Sequence, residues 1–352
     1  MTRPILSAIL SCESDRLSDD EKYLFSKYNP LGINLFSRNL KSKEQTKELI
    51  EDIKNVINRE DVLIAIDQEG GRVNRLHAIS SQQYASSKQL AKRDIKYTTY
   101  HAMLISKELN DLGINLNYSP VVDIENSSSV MEGRSFSKDT DIIVSYAQTM
   151  ADEYIKQGVC PCIKHIPGHF FDKKDPHLQS ITIDLSRDEI EKHVEYIKNF
   201  AKYPMAMVSH VILNNIDHCN PVTTSSIVMK DIIRGFLGFD SLIISDAIDM
   251  HALKGCIAEK TVNVLDAGID VICYCSGKLE DLQAICNEKR FMTEKSLNRF
   301  DKIKKIINNT NKWKGDNLIL EQYNDEFQED FKSQYTYDAT ETLEKMLKKG
   351  EN

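Results

Sequence analysis

None of the eight cysteines, scattered at positions 12, 160, 162, 219, 256, 273, 275 and 286, forms the Cys-x-x-Cys pair that structural zinc sites use. In a chain of 352 residues they read most simply as reduced core thiols. No long apolar run marks a membrane span, and no basic field marks a nucleic-acid partner. Gly and Pro are few, at 14 and 8, and there is no long low-complexity tract, so disorder is not the default. The start MTRPILSAILSC resembles a lipoprotein leader only loosely. Its apolar stretch is short, and Ile9 and Ser11 fit a lipid-attachment box poorly. A first buried strand is the better account, and with no leader the protein is expected in the cytoplasm.

What is present is an ordinary globular composition, 41% apolar and 28% charged. The length allows one large domain or two ordinary ones. The net charge of −8 is uneven: ten acids against four lysines follow Gly315, so that segment carries −6. Eight short apolar runs alternate with helical patterns. They lie at 5–10, 32–36, 62–66, 114–118, 160–164, 205–209, 242–245 and 270–275. Between them Ser42-Lys-Glu-Gln45 and Ser186-Arg-Asp-Glu189 fit the capping box that satisfies helix-start amides. Further helical patterns run over 97–112, 141–157, 225–237, 260–267, 280–287 and 293–308. Continuous apolar strands are buried on both faces, which requires a parallel sheet covered by helices. Eight such units predict an α/β fold, a (β/α)8 TIM-type barrel over residues 1–310, with a doubly wound open sheet as the alternative. Residues 311–352 read as an acidic, partly helical tail, with periodic aromatics Tyr323, Phe327 and Phe331 and a second helical stretch near 340–349.

Barrel strands end at one mouth, so polar groups just after them are the chemical candidates. They are Asp67-Gln-Glu-Gly-Gly-Arg72, Ser119-Pro-Val-Val-Asp123, Lys164-His165, Ser209-His210 and Ser245-Asp246. Alone, an Asp after a strand is most often a helix cap, and a His on an apolar segment a hydrogen-bonded core residue. Five strand ends of this kind together demand partners or a polar ligand, because burying so many ionisable groups unpaired is costly. His165, His169, Asp175 and His177 are potential metal ligands. Pro167-Gly168, however, interrupts the histidine spacing, so they share no continuous helix face, and neither metal nor cofactor is expected.

These residues resemble glycoside hydrolase family 3, and within it the bacterial single-domain β-N-acetylglucosaminidases of cell-wall recycling. The matching stretches are Asp67-Gln-Glu-Gly-Gly-Arg-Val73, Gly113-Ile-Asn-Leu-Asn-Tyr-Ser-Pro-Val-Val-Asp123, Gly133-Arg-Ser-Phe136, Lys164-His-Ile-Pro-Gly-His169 with Asp175-Pro-His177, and Leu237-Gly-Phe-Asp240 leading to Ser245-Asp246. The resemblance implies a retaining exo-hydrolase with Asp246 as nucleophile. It also implies His177 as general acid and base on a mobile loop, with Asp175 orienting it. In larger relatives a second domain supplies the acid; here the length is taken up by the barrel, so the loop is expected to provide it. Asp67, Arg134, Lys164 and His165, with Arg75 added, would hold the terminal N-acetylglucosamine of a muropeptide fragment. The protein would then act as a monomer on a small carbohydrate, without nucleic acid or membrane. Three departures stand out: Phe170 for the usual glycine, Pro176 for a serine, and Ala247 where a second aspartate is common. The first two should stiffen the loop. A phosphorylase on the same scaffold and a barrel that binds sugar without turnover are the rival readings; added phosphate and a chromogenic N-acetylglucosaminide separate them.

Overall fold

The computed structural model describes residues 3–125, 131–170, 181–309 and 312–333. Eight parallel strands pair in sequence order and close on themselves into a barrel. They are β1 (Leu6–Ser11), β2 (Pro30–Leu35), β3 (Leu63–Ile66), β4 (Leu116–Asn117), β5 (Cys160–Ile166), β6 (Met205–Val208), β7 (Leu242–Ala247) and β8 (Val271–Cys273). The eighth pairs with the first through Ala8 and Ile272, so the open doubly wound sheet is excluded.

Strand alternation divides the apolar residues between two cores. Leu63 and Ala65, Cys160 and Cys162, Met205 and Met207, and Leu242 and Ile244 fill the barrel interior. Their neighbours Ile64, Ile66, Ile163, Ala206, Val208 and Ile243 face the helices outside. The interior is thus packed with small or pliable sulfur-bearing side chains, and five cysteines are buried as expected. Cys219 and Cys256 depart from that expectation: both are exposed, the second capping a surface helix.

The fourth strand is shorter than the apolar run at 114–118 suggests. Just before it, Asn115 still pairs through its backbone, donating to Ile64 O (3.1 Å) and accepting from Cys160 N (2.8 Å), and its side-chain amide adds two bonds: Oδ1 accepts from Ile64 N (2.8 Å) and Nδ2 donates to Val62 O (2.9 Å). Ser42 accepts the Gln45 N–H at the start of the helix Lys43–Ile57, while the Gln45 side chain accepts from Lys41 instead of closing the box. Ser186 and Glu189 form the full box. The helical stretch at 225–237 is widened over Met229–Phe236, where Leu237 N–H reaches back to Ile232 O.

Beyond the barrel, the helix Asn317–Ser333 lies against the helix Lys96–Leu112. Tyr323 and Phe327 are fully buried there, and Arg93 pairs with Glu326 (2.7 Å) and Asp330 (3.2 Å). The helical stretch read near 340–349 lies outside the described residues. Among the described residues no helix is long and apolar enough to cross a membrane.

Candidate active site

The two-residue period that fills the barrel also builds its mouth. Continuing the interior positions of β3, β5 and β7 by one more step gives Asp67 after Leu63 and Ala65, Lys164 after Cys160 and Cys162, and Asp246 after Leu242 and Ile244. Three ionisable side chains therefore end up at the carboxyl end of the barrel through the same alternation that buries the residues beneath them.

Asp67 and Lys164 pair at 2.5 Å, and Arg75 stands 4.0 Å from the other Asp67 oxygen. Lys164 also contacts Glu69 at 2.7 Å, and Arg134 grips Glu69 with two parallel bonds, Nε to Oε2 at 2.9 Å and Nη2 to Oε1 at 2.8 Å. Burial alone would raise the Glu69 carboxyl, but Arg134 and Lys164 outweigh it and hold the group well below the usual carboxylate range. Burial acts to lower Lys164, and Asp67 with Glu69 more than reverses that, so the ammonium stays charged. Asp67 is the most open member, at 21% side-chain exposure against 3% for both Lys164 and Glu69. It is the carboxylate placed to meet a ligand.

A second cluster surrounds Asp123. Its Oδ2 accepts from His165 N (3.0 Å) and lies 2.8 Å from His165 Nδ1; its Oδ1 accepts from His169 N (2.8 Å) and lies 3.1 Å from His169 Nδ1. A buried carboxylate bonded in this way is ionised: burial pushes it up, and the two imidazoles push it further down. His165 is driven down to about 4 by burial and by the neighbouring His169, against the pull of Asp123, so it is neutral at pH 7. With Nδ1–H donated to Asp123, its Nε2 is an acceptor. Asp123, His165 and His169 offer ligand atoms within 4.8 Å of one another and so could hold a metal ion. Each Asp123 oxygen already receives a backbone N–H and faces a ring nitrogen, which accounts for the cluster as a brace of the loop after β5.

Asp246 lies near the tip of β7, half-buried. Its Oδ1 accepts from Ala247 N–H at 2.8 Å. Burial would raise its carboxyl; the imidazoles of His165, His210 and His169 and the Ala247 N–H outweigh that and hold it below the usual range. His210, lowered by burial, is fixed between Thr223 Oγ1 (2.8 Å from Nδ1) and the Ala247 carbonyl (3.0 Å from Nε2). A carbonyl can only accept, so Nε2 carries the proton and the ring braces the strand tip.

The structure thus brings Asp67, Arg75, Arg134 and Lys164 into one group, and His165 into electrostatic contact with Asp246. Asp175 and His177 lie outside the described residues. Glu69 and Asp123 were given no role from the sequence; their signal was membership of the strand-end stretches after β3 and β4, which also match family motifs.

The chain is similar to known proteins along most of its length. The glycosyl hydrolase family 3 N terminal domain matches residues 6–306. The beta-hexosaminidase of Psychromonas ingrahamii is 30% identical over 299 residues, 82% of this chain and 87% of that protein. That of Haemophilus influenzae (strain Rd) is 28% identical over 306 residues, again covering 82% and 87%. Among solved structures, NagZ from Neisseria gonorrhoeae in complex with N-trifluoroacetyl-D-glucosamine superposes with a TM-score of 0.77 at 26% identity, covering 85% of this chain and 90% of that one. With eight strands closed into one barrel, carboxylates at its mouth and this extent of match, the chain belongs to glycosyl hydrolase family 3 and is a glycoside hydrolase.

Proposed function

We propose that the protein is a retaining exo-β-N-acetylglucosaminidase that removes terminal N-acetylglucosamine from peptidoglycan fragments. The observation that carries the reading is an ionised carboxylate, Asp246, at the tip of β7 beside the same mouth that holds the Asp67–Lys164 pair. The beta-hexosaminidase relatives and the N-acyl glucosamine bound to the NagZ neighbour support the sugar class. Family resemblance supports the aglycone, the recycling role and the cytoplasmic setting.

In the first step the Asp246 carboxylate attacks the anomeric carbon. Ala247 N–H engages Oδ1, and we assign Oδ2 to the new bond. As that bond forms, the glycosidic bond breaks and His177, protonated and oriented by Asp175, gives its proton to the departing oxygen. In the second step the now neutral His177 takes a proton from water, the water oxygen attacks the anomeric carbon, and Asp246 leaves as carboxylate. Asp67, with Arg75, Arg134, Lys164 and His165, holds the terminal sugar. Asp67 accepts from its hydroxyls, Lys164 donates, and the bare Nε2 of His165 accepts, which closes the site beyond the non-reducing end and confines attack to chain termini.

A chromogenic N-acetylglucosaminide tests this directly. We expect turnover by the parent enzyme, loss of about 10⁴-fold or more in kcat for Asp246→Ala, and a severe loss for His177→Ala. An Asp246→Ala protein turning over at the parent rate would refute the assignment.

A further inference from the structure

The helix Asn317–Ser333 lies beyond the stretch matched by the family domain, residues 6–306, yet one of its side chains reaches the back of the sugar site. Tyr323 is fully buried. Its Oη accepts the N–H of Ala85 at 2.8 Å and lies 2.8 Å from His101 Nδ1. On the far side of the same ring, His101 Nε2 lies 3.3 Å from the backbone carbonyl of Glu69.

Only one arrangement of protons fits. The Glu69 carbonyl can only accept, so His101 Nε2 carries a hydrogen. Burial drops His101 to about 4, so the ring is neutral at pH 7 and Nδ1 is a bare acceptor. Tyr323 O–H must then donate to Nδ1 while its oxygen takes the Ala85 N–H. The relay runs in one direction, from Ala85 N–H through Tyr323 and His101 to the Glu69 carbonyl. Removing any member leaves a buried polar atom unpaired.

The relay ends on the residue that organises the sugar-binding charges. The Glu69 carboxylate holds Arg134 with two bonds and Lys164 with one, and Lys164 in turn holds Asp67. Next in the chain, Gly70 has φ +95°, and a Cβ there would lie 2.4 Å from Ala85 O and 2.7 Å from His101 Cε1. The turn after β3 is therefore pressed directly onto the relay, and Gly71 N–H adds a bond to Tyr84 O at 2.8 Å.

We infer that Tyr323 is a positioning residue for sugar binding, fixing through His101 the turn that presents Asp67 and Glu69 to the substrate. The C-terminal helix is on this account a working part of the site. The inference rests on the reading that Asp67, Arg134 and Lys164 hold the terminal sugar.

A helix that merely covered an apolar face would affect melting and leave KM alone, and the test turns on that difference. Tyr323→Phe in the full-length chain keeps the ring and its packing and removes only the hydroxyl. It is expected to raise KM for an aryl N-acetylglucosaminide roughly tenfold, with kcat within about twofold of the parent. His101→Gln breaks the same link with Tyr323 intact and should move KM in the same direction. Arg93→Ala, which loosens the helix at the ion pairs with Glu326 and Asp330 and over the Phe327 ring but leaves the Tyr323–His101 link in place, should leave KM at the parent value. A parent KM in both Tyr323→Phe and His101→Gln, or a fall confined to kcat, overturns the inference. Should the parent prefer a different aryl glycoside, the N-acetylglucosamine assignment fails, while the KM comparison on that preferred substrate still reads the positioning role.

Discussion

Glu69 is nearly fully enclosed and carries two cationic partners, so its negative charge is held by pairing and not by water. Removing that charge while keeping the shape leaves Arg134 and Lys164 facing a neutral amide. Breaking a buried pair of this kind costs about 3–5 kcal/mol. Glu69→Gln is accordingly expected to lower the thermal midpoint and to raise KM more than it lowers kcat, measured by calorimetry and steady-state assay; an unchanged melting curve would show the network to be dispensable. Asp67 and Lys164 were legible in the sequence because each belongs to a charged stretch at a strand end that matches a family motif, and Arg134 only through its family motif, Gly133-Arg-Ser-Phe136. Glu69 sits in the first of those stretches but was passed over, because nothing local distinguishes a carboxylate that binds sugar from one that holds the binders in place. Asp123, which ends the stretch after β4, was likewise left without a role, because its partners come from elsewhere: His165 from β5 and His169 from the loop that follows it.

Strands and loops were readable to different depths. The positions of Asp67, Lys164 and Asp246 follow from period-two alternation once the strands are known, so the placement of these three at the mouth was implicit in the apolar runs. Strand length was not: regular pairing in β4 covers only Leu116–Asn117, although Asn115 before it bonds through its backbone to both neighbouring strands. The loop after β5 carries the departure at Phe170, whose φ of +55° is a conformation that favours glycine. Phe170 is held there by burial and by stacking on His193, with ring centroids 4.9 Å apart. Relief of the left-handed backbone in Phe170→Gly is worth about 1–2 kcal/mol. Loss of the buried ring costs about 1.5–3 kcal/mol or more, and so decides the sign. The variant is expected to melt earlier and, with the loop freed, to turn over faster. A variant that is less stable and also slower would show that this ring assists catalysis instead of restraining the loop.

At the scale of the whole molecule, the barrel buries histidines in neutral form at two places, under the C-terminal helix and at the mouth. His101 and His165 are each lowered from 6.5 to about 4, and His210 is lowered as well. The unfolded chain takes up these protons first, so the stabilisation is complete above about pH 6.5 and is lost as pH falls toward 4, at about 1.4 kcal/mol per pH unit for each ring. Below that, protonation of Glu69, Asp123 and Asp246, all held low in the fold, extends the loss. A series of melting curves should therefore be flat between about pH 7 and 8, below the range where the buried thiols, pushed up by burial, begin to cost stability, and fall steeply between 6.5 and 4; a midpoint unchanged down to pH 4 would contradict the buried neutral rings. Alternation of eight strands and helices made the closed barrel readable in advance, whereas the seat of the C-terminal helix depends on contacts between segments more than 200 residues apart. The most direct test of the proposed reaction is the intact mass of the enzyme after reaction with an activated fluorinated N-acetylglucosaminyl donor, followed by proteolysis and mapping of the modified peptide. The account predicts one added glycosyl group per chain, esterified to Asp246. An unmodified mass in enzyme that the donor has inactivated, or a label on any other carboxylate, would contradict it.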